Sequence, residues 1–71
     1  IKMYIDNLIK QGSKILKNKN IPSHLIDAEL LLSKAIGRDR IFLLTNGEFK
    51  VASKETEKYL YFISRRKKYE P

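Results

Sequence analysis

Between Ile21 and Gly37 the chain carries its densest apolar run, Ile21-Pro22-Ser23-His24-Leu25-Ile26-Asp27-Ala28-Glu29-Leu30-Leu31-Leu32-Ser33-Lys34-Ala35-Ile36-Gly37, and that run is punctuated at both ends. Ser23 is of the type that accepts a hydrogen bond from an orphan backbone N–H at a helix start, and Gly37 is suited to the left-handed conformation that ends one. Asp27 and Glu29 lie towards the positive end of the helix dipole. At about 100° per residue, Leu25, Ala28, Leu31, Leu32, Ala35 and Ile36 form one broad stripe, and Ile26 and Leu30 form a second on another flank. A helix apolar on two flanks is expected to have neighbours on both, which makes it the centre of a small bundle.

The other segments supply the neighbours. Ile1, Ile5, Leu8, Ile9, Gly12, Ile15 and Leu16 recur at helical spacing against Lys2, Lys10, Lys14 and Lys17, so a first amphipathic helix is expected to run from Ile1 to about Asn18. Gly12 inside its stripe points to close approach of another helix. Asp39 reads as the cap of a short helix from Arg40 to about Thr45, stopped by Asn46-Gly47 and covering one end of the core. Glu48 to Ala52 has no period and reads as a loop with Phe49 and Val51 tucked inward. Ser53 is expected to cap a last helix with Glu55 and Glu57 at its start and Arg65 to Lys68 at its end, as the dipole prefers. The fold class is therefore all-α, a bundle of about four helices, three longer and one short.

The length allows one domain: at 71 residues there is no room for a second core. Without cysteine there are no disulfides, thiolate metal sites or thiol nucleophile. No run exceeds five apolar residues, too short for a membrane span. Catalytic constellations are missing as well. His24, the sole histidine, is expected at the surface of a first helical turn, and Asp27 and Glu29, two apart on a helix, point apart rather than forming an acid–base pair. Gly12, Gly37 and Gly47 are isolated, so no phosphate-cradling loop is present.

Two polar features remain. Thr56, Tyr59, Phe62, Ile63 and Arg66 share the inward side of the last helix, with Leu60 on its flank, so Arg66 either pairs with Asp27 or Glu29 of the central helix or reaches water. Lys54, Lys58, Tyr61, Arg65 and Lys68 share the opposite side. With a net charge of +7, this basic stripe around one tyrosine fits an acidic protein surface or nucleic acid, or is simply a solvated face.

The order of Ile21-Pro22-Ser23, then Leu25-Ile26-Asp27-Ala28-Glu29-Leu30-Leu31-Leu32 and Gly37, with a final helix running into Arg65-Arg66-Lys67-Lys68-Tyr69-Glu70-Pro71, resembles the start of the HemK/PrmC family of release-factor glutamine methyltransferases. Ile26 stands where the family pattern has Leu, and Lys67-Lys68-Tyr69 replaces a small-residue and glycine stretch. The resemblance implies that residues 1–66 are a helical substrate-recognition domain and that 67–71 begin a linker to a catalytic domain. It implies an enzyme that moves a methyl group from S-adenosylmethionine to the glutamine nitrogen of the GGQ loop in class I peptide chain release factors. The family's cofactor loop and its N-P-P-Y motif belong to the catalytic domain, so this chain by itself is expected to hold no cofactor, metal or catalytic residue. Its implied partners are the release factor and its own catalytic domain, in the cytoplasm or an organelle, with no membrane. The first residue, Ile, and the closing Glu70-Pro71 fit a piece cut from a longer protein. The rivals are a small basic bundle that binds nucleic acid or the ribosome through Lys54, Lys58, Arg65 and Lys68, and a protein–protein adaptor with no enzyme attached.

Overall fold

A computed structural model describes residues 3–68, in which four helices follow one another: α1 (Ile5–Lys17), α2 (His24–Ile36), α3 (Arg40–Thr45) and α4 (Ser53–Lys68). No strand forms among the described residues. Ile1 and Lys2, and Tyr69 to Pro71, lie outside them. α2 contacts each of the other three helices and α1 also packs on α4, so the central position expected for α2 is realised. The core gathers Ile5, Leu8, Ile9 and Leu16 of α1, Ala28, Leu32 and Ala35 of α2, Leu43 of α3, and Tyr59 and Ile63 of α4, with Ile21 and Val51 from the connections.

The helix ends show which punctuation acts. Gly37 adopts φ +71° and its N–H bonds the Ser33 carbonyl, closing α2. Asp39 caps α3 by accepting from the Phe42 N–H at 2.9 Å. Ser23 precedes α2 but makes no side-chain cap; its hydroxyl instead donates to Asp27 Oδ2 at 2.9 Å. A carboxylate one turn along is a stronger acceptor than the hydroxyl is itself, so the serine acts as donor. Ser53 is not the cap of α4 either: the helix already includes it, and the Ala52 carbonyl accepts the Thr56 N–H at 2.9 Å. α4 also runs through Lys67 and Lys68, so the expected linker start at residue 67 falls within its last turn.

The stretch after α3 is more than a loop. Tyr4 and Lys50 form an antiparallel bridge, and the Val51 N–H bonds the Met3 carbonyl at 2.8 Å. The Ile5 and Asp6 N–H groups bond the carbonyls of Phe49 and Gly47 at 3.1 and 2.9 Å. Tyr4 gives α1 no side-chain cap, so this crossing segment satisfies two of the donors a helix start leaves open. Val51 is buried as expected, whereas Phe49 stays partly exposed and meets Phe42 edge-on, with ring centroids 5.2 Å apart.

The second flank of α2 is not covered. Ile26 and Leu30 are 49% and 53% exposed, and Leu25, expected in the main stripe, is 50% exposed. Periodicity assigns these side chains to a side of the helix, but none of the other three helices among the described residues closes over them. α3 likewise seats only Leu43 fully, leaving Ile41 and Leu44 exposed.

Candidate functional site

α4 presents two faces with different chemistry. Inward, Thr56, Tyr59 and Ile63 are buried, and Leu60, Phe62 and Arg66 are half-buried. The Tyr59 hydroxyl donates to the Leu8 carbonyl of α1 at 2.7 Å, and burial pushes its phenol well above the usual tyrosine range. Gly12 makes this approach feasible: a Cβ there would overlap the Tyr59 hydroxyl and lie 2.9 Å from Ile63 Cδ1. Outward, Lys54, Lys58, Tyr61, Arg65 and Lys68 are all exposed. Arg65 donates to the Tyr61 hydroxyl at 3.3 Å, its guanidinium 5.8 Å from the ring centroid.

Where this stripe turns towards α2, the two helices leave a groove of about 370 Å³ lined by Leu31 and Lys34 of α2 and by Tyr61, Phe62, Arg65 and Arg66 of α4. Lys34 Nζ lies 5.4 Å from the Phe62 centroid. At one end Arg66 donates through Nε to Asp27 Oδ2 at 2.9 Å, with the second nitrogen 2.8 Å from the same oxygen. Asp27 thus holds both Arg66 and Ser23. Glu29, the other candidate partner of Arg66, is buried and pairs with Arg40 at 2.7 Å, tying α2 to α3. His24 is half-buried rather than at the surface, its Nδ1 2.7 Å from the Ser13 hydroxyl of α1.

The groove brings Tyr61 and Arg65 together with residues that the stripe alone does not include: Leu31, Lys34 and Phe62. The available signal was Lys34 three residues after Leu31 and four after Leu30, which sets a cation beside leucines on one side of α2. Arg40 gave no comparable signal, because its pairing depends on how α3 folds back across α2.

Gly12 packs under Tyr59, Gly37 closes α2 and Gly47 abuts the Asp6 carboxylate. Among the described residues no group of three or more His, Asp or Glu side chains is placed to hold a metal ion, and no helix is long and apolar enough to cross a membrane.

A family model described as the PrmC N-terminal domain matches residues 7–71. The chain belongs to that family. The PrmC N-terminal domain match takes in α2, α3 and α4 whole, including both walls of the groove. A relative from Clostridium botulinum named release factor glutamine methyltransferase is 42% identical over 65 residues, 92% of this chain and 23% of that protein. A relative of the same name from Clostridium acetobutylicum is 39% identical over 66 residues, 93% of this chain and 23% of its own length. The chain therefore spans about a quarter of the PrmC relatives it matches. No solved structure matches it.

Proposed function

We propose that this chain is the substrate-recognition domain of a cytoplasmic, S-adenosylmethionine-dependent enzyme that methylates the GGQ glutamine of class I peptide chain release factors. The observation that carries the proposal is the family match together with two relatives named for that activity, each similar over nearly all of this chain. In this reading the chain performs no methyl transfer. The methyl donor and the amide-holding groups belong to a catalytic domain that follows, and the connection to it begins after α4. What the present residues supply is binding energy and orientation: a large protein substrate held by a separate domain presents its loop at high effective concentration.

The test compares the longer enzyme carrying this chain with the same enzyme lacking residues 1–68. With an intact release factor, loss of the domain should lower kcat/KM by about tenfold or more, chiefly through KM. With a short GGQ peptide, which cannot span both domains, the two enzymes should behave alike. Equal rates of both enzymes on the intact release factor would overturn the recognition role. Absence of any methyl transfer to release factors by the longer enzyme would overturn the activity itself.

A further inference from the structure

The α2–α4 groove combines three properties on adjoining surfaces. Its cations are anchored on aromatic rings, Lys34 over Phe62 and Arg65 over Tyr61. The carboxylate of Asp27, at its Arg66 end, is already engaged by Arg66 and Ser23, and the acids of α4, Glu55 and Glu57, stand in the first turns of that helix, N-terminal to Lys58. Beside it, Leu30 lies one turn from Lys34 and Ile26 one turn from Leu30, and both are about half exposed. The described residues thus form a cationic channel with an exposed apolar shoulder.

We propose that this groove docks an acidic amphipathic helix of a protein partner. The apolar face of that helix would bury Leu30, Leu31 and Phe62, and its carboxylates would meet Lys34 and Lys58. Charge complementarity selects the sign of the partner: Lys34 and Lys58 form no ion pair among the described residues, and an arriving carboxylate gains attraction without displacing a resident one. The shoulder selects its class. Leucine and isoleucine side chains gain by covering apolar surface, which a helix with a leucine face provides and a phosphate backbone does not. Stacking of bases would also need a run of open ring faces, and of the two rings here Phe62 is half-buried with Lys34 over it while the exposed Tyr61 has Arg65 over it. The occupant is named by its chemistry, so this proposal can fail while the release-factor reading stands, and the reverse.

The test is an amide chemical-shift titration of the 71-residue chain with a synthetic helical peptide bearing one leucine face and one glutamate face. Saturable shifts should concentrate at Leu30, Leu31, Lys34, Tyr61 and Phe62. The double variant K34E/K58E should weaken binding by about tenfold or more, steeply at low salt, with an unchanged circular dichroism spectrum. Leu30→Asn should weaken it, whereas Leu44→Asn on the exposed face of α3 should not. No saturable response, equal binding of the same peptide with lysine in place of glutamate, or equal losses from the Leu30 and Leu44 variants would overturn the proposal. Displacement of the peptide by single-stranded RNA that shifts the same residues would do so in favour of a nucleic-acid site.

Discussion

α4 packs closely on α1 at Gly12, whereas its contact with α2, though the more extensive of the two, has a loose outer edge. Against α1, the Tyr59 ring lies over Gly12, its hydroxyl is satisfied by the Leu8 carbonyl, and Ile63 is fully buried beside it. Along the outer edge against α2, long side chains hold a groove of about 370 Å³, where an ion pair joins Asp27 to Arg66 and a cation lies over Phe62. The first seam gains from excluded water and dense packing, the second from partly solvated charge, which is worth much less per contact. Stability should therefore sit with α1 and the buried side of α2, and recognition with the α2–α4 seam.

The largest effect should come from the core that both seams share. Leu32 is completely buried, and Leu32→Ala should lower the unfolding free energy by roughly 2–5 kcal/mol, measured by urea denaturation. In a domain this small that is a large part of the total. Gly12→Ala tests the tight seam directly. The new methyl overlaps the Tyr59 hydroxyl, so the variant should lose about 1–3 kcal/mol even though alanine favours a helix by about 1 kcal/mol. A gain in stability would show that the seam can widen without cost.

Tyr59 sharpens the same comparison through pH. Its phenol is held above the ordinary value of 10.0 by burial, so above that pH the unfolded chain loses the proton while the folded chain keeps it. The folded state then binds more protons than the unfolded one, and stability falls as pH rises past that point. Tyr59→Phe should remove this alkaline loss and, at neutral pH, cost about 0.5–1.5 kcal/mol for the hydrogen bond to Leu8. An alkaline melting curve that is the same in both proteins would remove Tyr59 as its cause.

Much of the tight seam is legible in the sequence, and most of the loose one is not. Gly12 in an apolar stripe and Tyr59 and Ile63 at helical spacing identify a close helix contact, because local periodicity alone decides which side each faces. Gly37 and Asp39 were legible for a similar reason, since each acts on backbone within a few residues. Ser23 was not, because the carboxylate of Asp27 competes for its hydroxyl. Helical spacing offers Arg66 Asp27, Glu29 or water without choosing among them; it pairs with Asp27, and Glu29 goes to Arg40, whose position depends on the path of α3. The bonds from Phe49 and Gly47 to the start of α1 left no periodic trace at all. Most consequentially, a pattern that places Ile26 and Leu30 on one flank is silent on whether anything covers that flank.

That last point gives the smallest expected effect and the closest internal control. Leu30 and Leu32 are two residues apart on one helix, but one is 53% exposed and the other completely buried. Truncating Leu30 opens no enclosed cavity, and alanine is at least as good a helix former, so Leu30→Ala should change stability by no more than about 0.5 kcal/mol. The same change should weaken any partner that covers the α2–α4 groove, because the lost area is buried only in the complex. Stability and binding are thus expected to respond in opposite proportion at the two leucines. A loss from Leu30→Ala approaching that from Leu32→Ala, read in the same denaturation series, would mean that the flank is closed in solution, and the distinction between a packed seam and a docking seam would fail with it.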